Sequence, residues 1–400
     1  MTTKLIAVKA VGSEAFCSSG VNKNEIFEAC LLGRSAVNEA GLAPISPAIW
    51  KTLRPPIQNS TWLENDTSYC SIASSYTLKS ALADADWSPK DLIDCGFIFA
   101  TTTSKIDKWQ HSLPFIYMKD LTFEQVTEAT RFQSLGATLV QLQNEFGITG
   151  PSSVIASSCS ASLQALNLAT LWIRSGRVKK CIVGSTEILS DLTVNGFTSM
   201  RLLAKGVCKP FDKNRQGINL GEASAFICLE AEDYSLRPAH AFINGIGLST
   251  DAFHPTAPQP DGQGSFHSML QALNSAGLKA NQIDWFYAHG TGSAANDLAE
   301  SKAIHSLFSN SLKKAVVSST KSIHGHTLGA CGALETVLSI MCLQKNIILP
   351  TFNTGEIDPA IPLDIVLKSR ETTLNVVLKN SLGFGGINAS TVITKNQGFS

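Results

Sequence analysis

A chain of 400 residues, 44% hydrophobic and 16% charged, is an ordinary soluble globular sequence, long enough for two domains or for two halves that each bury a core. Lys and Arg number 32 and so do Asp and Glu, so no net charge favours nucleic acid or an anionic membrane, and an electrostatic partner must be met by a local patch. The ten cysteines are scattered without a Cys-x-x-Cys pair or zinc-type spacing, which indicates neither a disulfide framework nor a structural metal and predicts reduced thiols.

The opening ten residues read as a short strand-like alternation without the apolar core of a signal peptide. No apolar run reaches the ~18–20 residues that span a bilayer, so no membrane insertion and a cytoplasmic location are expected. Strand-like runs then alternate with helical patterns at 92–100, 152–156, 181–184, 226–230, 283–289, 315–319, 375–378 and 390–394, the signature of an α/β chain with buried sheets. Residues 151–159 pass from a β-branched run through small polar residues to Cys159. The apolar stretch from Ala161 to Ile173 follows as a helix, closed by Ser175 and Gly176. Cys159 is therefore predicted to open a buried helix, where the dipole and free N–H groups favour thiolate over thiol. A buried structural role is the commoner reading of any one cysteine, and the small neighbours and downstream histidines reverse it here. A strand at 315–319 leads in the same way through Lys321 and His326 into a helix over 328–343. Each helix precedes a strand-forming run, 181–183 and 347–349. Two similar halves are predicted, 1–240 carrying the cysteine and 241–400 carrying the histidines and Lys321, with the two helix N-termini meeting. The proline-rich stretch 251–264 reads as a lid or pocket wall.

His289 ends a strand and enters a glycine turn that permits close approach of a substrate, with Thr291 and Ser293 suited to bond the amides of a pantetheine arm. Lys321 and His326 come from one segment and so share a cleft. A phosphate cradle is the competing use, but no P-loop accompanies it. Glu300 and Glu335, each in a predicted helix, are candidates to orient the histidines or to hold Lys321 as an ion pair, against a plain surface role. The glycine-rich turn 380–388, otherwise simply a tight turn, is suited to offer N–H groups to an oxyanion.

Taken together, Ser158-Cys159-Ser160, the 288–293 run with Asn296, Asp297 and Glu300, and the segments 319–326, 328–335 and 383–388 resemble the condensing β-ketoacyl-(acyl carrier protein) synthases of the thiolase superfamily. Segments 210–217, 251–258, 350–353 and Asp358 extend the likeness from about residue 140 to the C-terminus. The second histidine favours the Cys-His-His elongating type over Cys-His-Asn initiating enzymes and Cys-His-Cys thiolases, although Cys331 keeps a thiolase-like second cysteine open. The 251–264 loop looks more like type II than type I. The resemblance implies a thiolase-like five-layer αβαβα fold of two pseudo-repeated halves, a homodimer, and no metal or redox cofactor, with substrates carried as phosphopantetheine thioesters on acyl carrier protein. It implies that Cys159 receives an acyl chain, with the N–H groups of Cys159 and Phe384 as oxyanion hole. His289 and His326 would then stabilise the enolate left by malonyl decarboxylation, and Lys321, tied to Glu335, would tune them. Arg201 matches a docking arginine, and with Lys205 and Lys209 makes a basic patch for the acidic carrier. A noncatalytic carrier-binding subunit, a thiolase or initiating synthase, and a Cys-His hydrolase remain the alternatives. Departures from the family pattern lie at 10–15, 65–70 and 101–104, and at Gln216 and Ile387. Thr101, Thr102 and Thr103 are predicted to wall the acyl pocket and shorten it.

Overall fold

The computed structural model describes residues 6–53, 68–110, 121–130, 134–308 and 315–397, so 1–5 of the opening run and 65–67 of the departing segment lie outside the described residues. The expected alternation folds into one eleven-stranded sheet. Its strands in chain order are β1 (Val8–Cys17), β2 (Gly96–Ala100), β3 (Ser152–Ile155), β4 (Lys180–Glu187), β5 (Ala223–Ala231), β6 (Ala241–Thr250), β7 (Trp285–Tyr287), β8 (Val316–Ser318), β9 (Asp364–Ile365), β10 (Val376–Gly383) and β11 (Ile387–Thr394). Strands β2, β4 and β5 are buried at every position, which is why each carries a continuous apolar stretch, 97–100, 181–183 and 225–229, rather than a strict alternation.

The spatial order is β9-β8-β7-β10-β11-β6-β1-β5-β4-β2-β3. From β1 outward, the first half runs first, last, fourth, second, third in chain order, and from β6 outward the second half runs identically, with β9 added at its edge. The halves join through β1 and β6, which pair antiparallel at Lys9 with Phe242 and Ala10 with Ala241. In this repeat the counterpart of β4 is β10. Residues 347–349 are not that counterpart: Ile347 and Ile348 pair with Glu371 and Arg370 in a separate two-stranded sheet. The preceding helix ends at Asn346 in a left-handed conformation, φ 55°, which turns the chain away before it can join the main sheet.

Five helices complete the layers: α1 (Tyr69–Asp84), α2 (Ala161–Arg174), α3 (Gln263–Ala276), α4 (Ala294–Leu307) and α5 (Cys331–Lys345). Helix α1 covers β1 and β5 on one outer face, while α3, backed by α4, covers β6 and β11 on the other. Between the two halves lie α2, which touches β2 and β4 as well as β6 and β11, and α5, which touches β5 and β10. A helix with sheet on both sides is buried all round, and Cys331 to Leu343 of α5 are buried without exception, mostly apolar with Glu335 the one charged side chain. Leu334 and Leu338, fully buried there, each contribute on the order of 1.5–3 kcal/mol by leaving water. The layering is αβαβα. It sets the N-termini of α2 and α5 at equivalent places, each following the third strand of its half. Among the described residues no helix is long and apolar enough to cross a membrane.

Candidate active site

Beyond β3 the chain turns sharply at Ser158, whose φ of 48° is in the left-handed region that a side chain rarely adopts. That turn sets Cys159 one residue ahead of Ser160, the N-cap of α2. Ser160 Oγ donates to Ser157 O at 2.9 Å, and Gln164 Nε2 donates to Ser157 Oγ at 2.9 Å and to Ser160 Oγ at 3.0 Å, bracing the elbow from the first helical turn. Cys159 is 6% exposed. It lines a cleft of about 390 Å³ together with His289, His326, Thr291, Ser293 and Phe384.

Helix placement does not make this thiol a thiolate, contrary to the expectation from sequence. Burial pushes Cys159 up, with Cys331 adding to the rise, and the Lys321 charge and the Phe384 N–H oppose it without prevailing. Cys331 is not a second nucleophile facing the cleft. Its Sγ donates to the Cys159 carbonyl at 3.1 Å, so the first residue of α5 clamps the elbow.

The second half supplies the imidazoles. β7 delivers His289 and the segment after β8 delivers His326. Their rings stand edge to face, centroids 5.0 Å apart and planes at 88°. The Cys159 sulfur and one nitrogen of each ring all lie within 4.8 Å of one another. His326 Nδ1 accepts the Leu328 N–H at 2.9 Å, so in the neutral ring the proton is on Nε2. Burial, helped by Lys321, holds His326 at about 3, and burial, Lys321, His326 and Lys379 drive His289 well below its ordinary range. Both rings are neutral near pH 7.

Beneath them Lys321 Nζ lies 2.5 Å from Glu335 Oε1, and Lys379 Nζ lies 2.7 Å from Glu335 Oε2. All three side chains are 1% exposed or less. Burial would raise the Glu335 carboxyl, but Lys321 and Lys379 together outweigh it and hold the group at about 2. Sequence reasoning found Lys321 and Glu335 but missed Lys379. The signal was a lysine directly after the apolar run 376–378, in a strand whose neighbours on both sides are also buried.

Glu300 touches neither an imidazole nor Lys321. Its carboxylate accepts the backbone N–H groups of His289 at 2.7 Å and Gly290 at 2.8 Å, and the Asn380 amide at 2.8 Å. It fixes the loop rather than the ring, because α4 approaches the turn from its backbone side. The 380–388 turn does reach the elbow: the Phe384 N–H bonds the Cys159 sulfur, and the Phe384 ring stacks on Phe197 at 5.4 Å. Thr291 Oγ1 donates to Ser293 Oγ at 3.2 Å. Arg201 lines the cleft mouth, exposed, and Lys205 and Lys209 are exposed as well. The threonines do not wall this cleft. Thr102 and Thr103 border a separate cavity of about 250 Å³ with Ile106, Trp109 and Leu192, while Thr101 is fully buried and donates to Thr186 O at 3.3 Å. Glu187 accepts the Thr102 N–H and, at 2.9 Å, the Thr103 hydroxyl, which ties this segment to the end of β4.

Comparison with known proteins agrees with this geometry. Residues 69–234 match the family model "Beta-ketoacyl synthase, N-terminal domain", and residues 240–355 match "Beta-ketoacyl synthase, C-terminal domain". A 262-residue segment is 35% identical to the 3-oxoacyl-[acyl-carrier-protein] synthase 2 of Coxiella burnetii, covering 63% of this chain and 63% of that protein, just under two thirds of either. Among solved structures, the ishigamide ketosynthase/chain length factor superposes with a TM-score of 0.87 at 26% identity, over 98% of this chain and 100% of that one. The ketosynthase ApeO, in complex with its chain length factor ApeC from Xenorhabdus doucetiae, is 28% identical in a match with TM-score 0.81, over 97% of this chain and 98% of that one.

Proposed function

This chain belongs to the β-ketoacyl synthase family, and on that premise we propose that it is a decarboxylating condensing enzyme that joins an acyl group to malonyl carried on acyl carrier protein. Cys159 attacks the acyl thioester, its proton passing to an imidazole, and the carrier thiol leaves. The N–H groups of Cys159 and Phe384 receive the negative oxygen of the tetrahedral intermediate. Malonyl thioester then enters the emptied arm of the cleft along Thr291 and Ser293. The His326 Nε2–H and His289 donate to its carbonyl oxygen as carbon dioxide leaves and the C–C electron pair becomes the enolate. The enolate carbon attacks the acyl-Cys159 carbonyl, and collapse returns the sulfur and releases the 3-oxoacyl product. Neutral imidazoles suit this work: they can donate to a forming oxyanion without first giving up a charge.

The reading rests on one observation above the others, the two neutral histidines set against a buried thiol at a helix start. A noncatalytic carrier-binding subunit has no use for that thiol, and a thiolase would present a second cysteine to the cleft, where Cys331 instead bonds backbone. We propose that the site works without a metal, since the two buried lysines repel a divalent cation. We also propose a homodimer closing on the open edge of β3, a cytoplasmic setting, and docking of acidic carrier protein on Arg201, Lys205 and Lys209. The deciding experiment follows two half-reactions, acylation of Cys159 by intact mass and carbon dioxide release from malonyl-carrier protein. His326→Ala should abolish the second and largely spare the first. Normal decarboxylation by that variant would overturn the assignment.

A further inference from the structure

Lys379 is a second ammonium on the buried Glu335 carboxylate, one more than that ion pair needs. Lys321 already neutralises Glu335 at 2.5 Å, and a second ammonium at 2.7 Å leaves two cations on one buried carboxylate. Such an excess is costly to bury unless something is gained from it. Glu300, the other carboxylate here, bonds the N–H groups of His289, Gly290 and Asn380 and forms an ion pair with neither lysine among the described residues. The remaining contacts of Lys379 point one way. Its Nζ donates to Tyr287 O at 3.3 Å, to Ala288 O at 3.4 Å and to Asn380 O, and it stands 5.3 Å from the centre of the Tyr287 ring. Tyr287 ends β7 and Ala288 directly precedes His289. Asn380 follows Lys379 in β10, which runs on to Gly383 and Phe384.

We propose that Lys379 is a positioning residue of the condensation: it gives the Lys321–Glu335 pair an excess positive charge and ties that charge to the strand end carrying His289, so it supports enolate formation far more than acyl transfer. This builds on the condensing reading above. An ion pair alone presents a developing anion with nearly cancelling charges, whereas Lys379 sets a second ammonium on the Glu335 carboxylate while Glu300 is held on the N–H groups beside His289. Acylation of Cys159 gains less, because its oxyanion is met by backbone N–H groups.

Lys379→Met keeps the chain length and removes the charge. The expected result is a loss of about 10-fold or more in the kcat of carbon dioxide release from malonyl-carrier protein, with KM and the rate of Cys159 acylation changed by less than about 3-fold. Lys379→Arg should recover most of the loss. Nuclear magnetic resonance titration of the histidines gives a readout independent of turnover: His289, which faces Lys321, His326 and Lys379, should gain its proton at higher pH in the Met variant than in the wild type. Equal losses in both half-reactions, an Arg variant no better than Met, or an unmoved His289 titration would each overturn the proposal. Should Lys379→Met not fold, Lys379→Gln, whose amide can still donate to Glu335, carries the same comparison. A wild type that releases no carbon dioxide would sink the condensing reading instead, and the His289 titration would still decide on Lys379.

Discussion

His324 shows how a buried residue outside the reaction adds to the acid sensitivity of this protein. Its Nδ1–H donates to Gly325 O at 2.7 Å, so Nε2 accepts from Thr320 Oγ1 at 2.8 Å, and burial holds the ring at about 4. In the unfolded chain the same ring titrates near ~6.5, so below that pH the unfolded state takes up a proton that the native state refuses. Stability therefore falls as pH drops from about 6.5 towards 4, at about 1.4 kcal/mol per pH unit for one such group. Glu187 and Glu222, raised to about 7 by burial, act with the opposite sign, their contribution being lost as pH rises towards 7. A comparison within one residue removes that background. Urea unfolding of His324→Gln at pH 6.5 and pH 5 should show a shallower loss than wild type by about one proton's worth, and parallel slopes would refute it. At this scale Cys159, His289, His326, Lys321 and Glu335 were legible because each stands in a distinctive run beside a strand end. The backbone attachment of Glu300 and the inward lysine at 379 were not, since only the assembled sheet decides which atoms a buried side chain can reach.

The meeting of β10 with the elbow is a contact between elements distant in sequence, and it has almost no slack. A Cβ on Gly383 would come within 3.1 Å of Ile387 O and 3.3 Å of both Ser157 O and Ser160 N. Gly383→Ala should displace the Phe384 N–H from the sulfur by a few tenths of an ångström while leaving the sheet paired. The expected loss in the rate of Cys159 acylation is about 10-fold or more, in line with a weakened oxyanion donor, with a melting temperature close to wild type. An unchanged acylation rate would place the oxyanion donor elsewhere. Elements with a strongly apolar stretch were readable from sequence, β2, β4 and α2 among them. The run at 347–349 misled because a two-residue strand in a minor sheet has the same local composition as a central one, and the αL turn at Asn346 that separates them depends on a single dihedral.

For the molecule as a whole, neutrality of the total charge concentrates any steering of an acidic partner at the cleft mouth. Arg201→Glu should raise KM for acyl-carrier protein several-fold with kcat little changed, and wild-type KM should rise with salt as exposed charges are screened over the ~8–10 Å Debye length. A salt-independent KM with an unaffected mutant would move the docking surface away from Arg201. The repeated strand order explains how such a mouth arises: like ends of like halves converge, and each brings the start of a middle-layer helix to the same cleft. Local patterns hinted at that repeat, but the pairing of β1 with β6 that makes one sheet of it left no trace in composition. The ten free thiols are all buried, and only Cys159 lines the cleft. Each of the other nine can meet a water-soluble alkylating reagent only when the structure around it opens, so the wild-type chain reports its own breathing. Labelling followed peptide by peptide should modify Cys159 first, since it alone of the ten lines the cleft. The remaining thiols should then appear in the order in which their surroundings come apart, which maps the local free energies of opening across both halves without a single introduced probe.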